Sequence, residues 1–137
     1  MNHLQEMIEA HPGKIKIDKN NLMRTIDTLT SCADTCILCA DACLAEDNVK
    51  QLVKCIRLNY DCADACSAAA RMLLRQVGAD MGLLHKQLEV CAAACRVCGQ
   101  ECEQHAAHHE HCRICAETCR ACEKTCDRII QEMTVAR

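Results

Sequence analysis

Phenylalanine and tryptophan are absent from this 137-residue chain, and Tyr60 is its one aromatic residue. The length suits a single domain with enough chain to bury a core, yet the bulky side chains that normally fill a core are missing. Charge of one sign is also scarce: the formal net charge is −3, with acidic and basic residues interspersed. That balance leaves no basic stripe for nucleic acid and no polybasic anchor for a membrane. No apolar run reaches the length of a membrane span, and the stretch from Met1 to Met7 has no charged segment followed by an apolar one. A cytoplasmic location is expected, without nucleic-acid or membrane partners.

What is abundant is cysteine, with 16 residues. Cys32, Cys36, Cys39 and Cys43 step by four, three and four; Cys91, Cys95, Cys98 and Cys102 repeat that step; Cys112, Cys115, Cys119, Cys122 and Cys126 alternate three and four. Cys55, Cys62 and Cys66 form a further ladder with one rung missing, and Asn59 stands in its place. Alternating threes and fours are the seam of a helix that packs against other helices, so the thiols should face inward, in the space that Leu and Phe normally occupy. A buried cysteine can be a plain small hydrophobe. So many of them bury less apolar area than a conventional core, which points to metal chemistry. Disulfides fit poorly, because the cytosol keeps thiols reduced and disulfide-stapled scaffolds scatter their cysteines through loops.

The ladders organise the chain. A short helix from Asn2 to Ala10, ended by His11-Pro12-Gly13, makes an N-terminal arm over residues 1–13. Helices are expected at about 18–46, with Asp18 or Asn20 as N-cap; at 48–77, capped by Asp47 or Asn48 and stopped by Gly78; at 80–104, started by Asp80; and at 110–134. No turn residues separate the last two. The ladder instead slips by one residue between Cys102 and Cys112, and a continuous helix would rotate its thiols off the seam there. The fold class is all-α, an antiparallel up-down-up-down four-helix bundle with a short extra N-terminal helical segment, forming one domain over 1–137.

That topology gives the bundle a direction. Extended one way, the ladders become Leu22, Ile26 and Leu29; Leu73 and Val77; Met81, Leu84 and Leu88; and Ile129, Ile130 and Met133, an apolar plug. At the opposite end stand Cys43, Cys55, Cys102 and Cys112 with the run from His105 to His111. His105 and His109 continue the third ladder outward and His108 extends the fourth backward, whereas His111 falls out of line. These four histidines are candidate transient ligands at a metal entrance. Met72, Met81 and Met133 read as packing, and Asp34, Asp41, Asp61 and Asp64 as outer-face residues. Asn59 can hydrogen-bond a neighbouring thiolate or fix helix register.

Thiols three or four apart on a helix can turn toward each other, and a metal bound linearly by two thiolates at roughly 2.3 Å needs sulfurs about 4.6 Å apart. Soft thiolates select Cu(I), zinc or iron–sulfur clusters. Charge favours Cu(I). One monovalent ion per thiolate leaves no net charge in a dry core, whereas tetrathiolate zinc sites would carry roughly −2 each, with no Lys or Arg on the ladders to offset it. Capacity should be on the order of one Cu(I) per cysteine. Cys36-Ile37-Leu38-Cys39, Cys95-Arg96-Val97-Cys98, Cys112-Arg113-Ile114-Cys115 and Cys119-Arg120-Ala121-Cys122 are C-x-x-C pairs, but a cluster needs backbone that wraps it. A thiol redox buffer remains an alternative to metal storage, as does a zinc or iron–sulfur protein; the redox reading needs exposed, electropositive thiols.

Repeated C-x-x-x-C-x-x-C-x-x-x-C ladders on successive helices resemble the cytosolic branch of the bacterial copper storage proteins, and the resemblance covers the whole chain. It implies a four-helix bundle whose core cysteines hold many Cu(I) ions, an open end that admits copper, assembly as a homotetramer and no enzymatic activity. Copper ions are then the expected cargo, with a copper chaperone as exchange partner. Asn59, in the second ladder, is the departure from an unbroken column of thiols.

Overall fold

The computed structural model describes residues 2–135; Met1 and residues 136–137, included in the expected domain, lie outside the described residues. Five α-helices follow one another: α1 (Asn2–Ala10), α2 (Lys19–Leu44), α3 (Val53–Leu73), α4 (Met81–His105) and α5 (Glu110–Val135), with a 3-10 turn at Val49–Leu52 before α3. α2 to α5 form a square bundle. α2 packs on α3 and α5, and α4 on α3 and α5, and only side chains meet across the axis, as Cys66 of α3 does with Cys122 of α5 at 3.8 Å. Neighbours run antiparallel: Cys55 and Cys66 on α3 meet Cys102 and Cys91 on α4, and Asn21 at the start of α2 bonds Glu132 near the end of α5.

Local chemistry starts two of these helices. Asp18 accepts a hydrogen bond from the Asn21 backbone at 3.0 Å, and Asp80 accepts one from Leu83 at 3.0 Å, each N-cap contributing about 1 kcal/mol. The expected cap at Asp47 or Asn48 is not made. Asn48 directs its amide to the Gln51 side chain at 3.2 Å, and the chain enters α3 through the 3-10 turn. α3 is also shorter than the expected 48–77. It ends at Leu73, the chain turns with Gly78 at φ 68, and Val77 is 73% exposed. Val77 therefore does not belong to the apolar plug, because a 3-4 spacing defines no face once the helix has stopped.

The rest of the plug is in place. Leu22, Ile26, Leu29, Leu73, Leu84, Leu88, Ile129 and Met133 are buried, Met81 and Ile130 pack against them partly buried, and Ile8 of α1 and Ile17 of the linker add to the same cluster. Fully burying such a side chain stabilises by about 1.5–3 kcal/mol, so this end carries most of the conventional hydrophobic stabilisation. Beyond it the core is mostly thiol, with small side chains such as Ala33, Ala63 and Ala116 beside the sulfurs and Leu52 fully buried at the far end.

Candidate metal centre

All sixteen cysteines are free and buried. Each ladder faces the bundle axis, so thiols from different helices alternate along it. Cys32, Cys66, Cys95 and Cys122 contribute one sulfur from each of α2 to α5, all within 4.8 Å of one another. Cys32, Cys36, Cys62 and Cys119 form the next group, then Cys36, Cys98, Cys115 and Cys119, and toward the far end Cys39, Cys55 and Cys102. Cys32, Cys36 and Cys119 are shared between neighbouring groups and link the first three. Individual sulfurs lie 3.3 Å apart between Cys91 and Cys66, 3.6 Å between Cys66 and Cys95, 3.7 Å between Cys36 and Cys119 and 3.6 Å between Cys55 and Cys102. Bridging such a pair linearly requires a separation of about 4.6 Å, which small rotations about the Cα–Cβ bonds supply without moving a helix. Cys91 and Cys126 lie beside the plug; Cys39, Cys43 and Cys112 lie at the other end.

Asn59 does not interrupt this column. It is fully buried, and its side-chain oxygen accepts the thiols of Cys98 at 3.1 Å, Cys115 at 3.2 Å and Cys102 at 3.6 Å, while its amide nitrogen donates to Cys55 at 3.7 Å. Both polar ends are thus satisfied by sulfur. The amide bonds thiols on three helices, joining the groups on either side of the missing rung.

The histidines divide differently from their register. His111, off the ladder, is the one that the structure brings against sulfur among the described residues. Its Nδ1 lies 3.4 Å from Cys39 and 3.6 Å from Cys112, and it forms a possible metal-holding group with Cys39, Cys43 and Cys112. His105 turns to Glu101, Nε2 to carboxylate 2.9 Å. His109 bonds Glu46 through Nδ1 at 2.9 Å, and His108 is exposed in the connecting turn. His111 precedes Cys112 in the first turn of α5, where no earlier turn of helix blocks its side chain from reaching back over the end of the core. Two carboxylates were not legible as site residues: Glu46 bonds both His109 and His111, and the buried Glu101 holds His105 with Lys54 at 3.8 Å.

Electrostatics grade the thiols at this open end. Hydrogen bonds from Cys102, Cys112 and Cys39 hold the Cys55 thiol well below its ordinary value, and the Asn59 amide donates to the same sulfur. Burial, together with the neighbouring charge of Cys55, pushes Cys43 up to about 11. Cys55 is therefore the thiol readiest to ionise there, with neutral thiols around it. Glu46 is held below the usual carboxylate range by its hydrogen bond with His111 and by His109.

The sequence profile of the copper storage protein family (Csp) matches residues 18–131. Among solved structures, the copper storage protein Ccsp from Streptomyces lividans loaded with 10 copper equivalents aligns with a TM-score of 0.90 at 42% identity, over 93% of this chain and 98% of that one. A cytosolic copper storage protein from Streptomyces lividans with five coppers aligns with a TM-score of 0.80 at 46% identity, over 82% of this chain and 93% of that one. The uncharacterized cysteine-rich protein YhjQ of Bacillus subtilis (strain 168) is 34% identical over 86 residues, 63% of this chain and 74% of its own length. The chain belongs to the copper storage protein family.

Proposed function

We propose that this protein is a cytosolic store that holds many Cu(I) ions on the thiolates of its core. The observation that carries the proposal is the column of sixteen buried cysteines, most of them in groups whose sulfurs lie within 4.8 Å of one another, sealed by apolar side chains at one end. The ligands are Cys32, Cys36, Cys39, Cys43, Cys55, Cys62, Cys66, Cys91, Cys95, Cys98, Cys102, Cys112, Cys115, Cys119, Cys122 and Cys126, with His111 at the entrance. The proteins it is similar to carry five and 10 coppers, which supports a multinuclear load. Each Cu(I) displaces one proton from a thiol, so the dry core stays uncharged as it fills.

Copper enters where Cys39, Cys43, Cys112 and the Nδ1 of His111 converge. Imidazole and thiolate both suit a soft monovalent ion, so hydration can be exchanged there for mixed nitrogen and sulfur ligation. Cys55, readiest to ionise, accepts the ion next. Sulfurs less than 4 Å apart on successive helices then let each ion pass by gaining one thiolate before losing another. His105, His108 and His109 surround the entrance without contacting sulfur, and we assign them to first encounter with copper or its carrier, which includes a copper chaperone. The single domain, storage without catalysis and assembly as a homotetramer complete the proposal. Exposed Val53 and Tyr60 stand seven apart on α3, and exposed Leu83, Val90 and Val97 repeat at sevens on α4; such stripes are seams for helices of another copy.

The test is a titration of reduced apoprotein with Cu(I) against a chromogenic chelator, with light scattering for the assembled mass. A count near one per cysteine is expected. A count near four, matched by zinc and not by copper, would overturn storage.

A further inference from the structure

One carboxylate oxygen, Glu46 Oε2, lies 2.9 Å from the Nε2 of His111 and 2.9 Å from the Nδ1 of His109. The two imidazoles are stacked, with centroids 5.5 Å apart and planes 29° from parallel. An ionised carboxylate only accepts hydrogen bonds, so the His111 Nε2 bonded to it must carry its proton. In a neutral imidazole that leaves the other nitrogen as a lone pair. For His111 this is Nδ1, the atom 3.4 Å from Cys39 and 3.6 Å from Cys112.

We propose that Glu46 is a positioning residue that locks His111 in the Nε2–H tautomer and aims its Nδ1 lone pair at the entrance thiols. The inference rests on the reading of His111 as a copper ligand at the mouth. Without the carboxylate, a neutral imidazole can carry its proton on either nitrogen, and an Nδ1–H faces an incoming cation with a proton instead of a lone pair. Glu46 stands just past the end of α2, which carries Cys39 and Cys43, while His109 and His111 stand at the start of α5. The carboxylate therefore also fixes the gap between the two helices whose residues form the entrance. Stacking of the His109 ring restricts rotation of His111 from its other side. Glu101 with His105 has the same chemistry within α4, but that pair presents no ring nitrogen to a thiol, so the positioning role falls to Glu46.

The experiment reads tautomer and uptake separately. Long-range nitrogen–proton NMR of the reduced apoprotein should show His111 as Nε2–H in the wild type and in Glu46→Gln, whose amide oxygen still accepts, and as a mixture in Glu46→Ala. Stopped-flow transfer of the first Cu(I) equivalents from a chromogenic chelator should slow about 10-fold or more in Glu46→Ala, recover most of its rate in Glu46→Gln, and slow no further in Glu46→Ala/His111→Ala than in His111→Ala. Circular dichroism confirms that each variant is folded. A His111→Ala variant loading at the wild-type rate would sink the ligand reading. If His111→Ala is slow while Glu46→Ala keeps the wild-type tautomer and rate, the positioning role alone is overturned. It is also overturned if Glu46→Gln keeps the tautomer yet loads as slowly as Glu46→Ala.

Discussion

The Cys98 thiol on α4 donates to the side-chain oxygen of Asn59 on α3 at 3.1 Å, in the interior of the sulfur column. The same oxygen accepts Cys115 of α5 at 3.2 Å. A position that reads as a missing rung is thus a polar cross-brace among three helices, its amide desolvated without loss of partners.

Asn59→Ala removes that acceptor and leaves a cavity between Cys55, Cys98 and Cys115. The lost packing and hydrogen bonds should lower stability by about 2 kcal/mol, read as a shift in the urea midpoint of the reduced apoprotein. Copper capacity should hold, because no thiol is removed. An unchanged midpoint would show that Asn59 braces nothing.

Alkaline pH should weaken the empty protein through Cys43. Its folded thiol is pushed from 9.0 up to about 11, by burial first and by the charge of Cys55 second. Below about pH 9 both folded and unfolded forms hold the proton and Cys43 makes no pH-dependent difference. Between 9 and 11 the unfolded thiol ionises while the folded one does not, so stability falls as pH rises. Thermal melts across that window should fall more steeply for wild type than for Cys43→Ser, which cannot titrate there. Copper loading should flatten the wild-type profile, since the metal has already replaced the proton.

The bundle was legible because its signal was redundant: four ladders in the same 3-4 step can face one axis only if four helices surround it. The plug was legible for the same reason, except at Val77, where the pattern ran past a helix that had already ended. The entrance was not legible in detail. His111 reaches sulfur from a helix's first turn, where register does not govern direction, while in-register His105 is drawn to Glu101 four residues earlier. Glu46 is separated from its partner His111 by 65 residues, and nothing in local spacing marks such a contact. Asn59 was visible as an anomaly, but its partners come from α4 and α5, 39 and 56 residues away.

Gly99 governs how closely α4 and α5 approach. A Cβ placed there would lie 3.4 Å from the Cβ of Cys119 and 3.5 Å from Arg120, which is ordinary contact for a methyl group. Gly99→Ala should therefore raise stability by up to about 1 kcal/mol through helix propensity. Gly99→Leu must part the helices, costing about 1–3 kcal/mol, and should also lower copper capacity by spreading the thiols that share Cys119. Urea midpoints and Cu(I) counts on both variants check the pair, and equal behaviour would mean that the interface yields freely.

Opposite ends of the column should fail in opposite ways. Cys39 and Cys112 flank His111 at the open end, whereas Cys91 sits against Cys66 at 3.3 Å, one helical turn from the buried Leu88, and Cys126 is one turn from the buried Ile129. Serine at both entrance positions removes soft ligands from the first encounter, so uptake of the earliest equivalents should slow about 10-fold or more and the final count should fall slightly. Serine at Cys91 and Cys126 should leave the early rate unchanged and reduce only the count, by about two if each thiol holds on the order of one ion. Stopped-flow traces with endpoint titrations separate the two effects. Slowed early uptake in the plug-end variant, with wild-type kinetics in the entrance variant, would reverse the direction of filling and place the entrance at the apolar end.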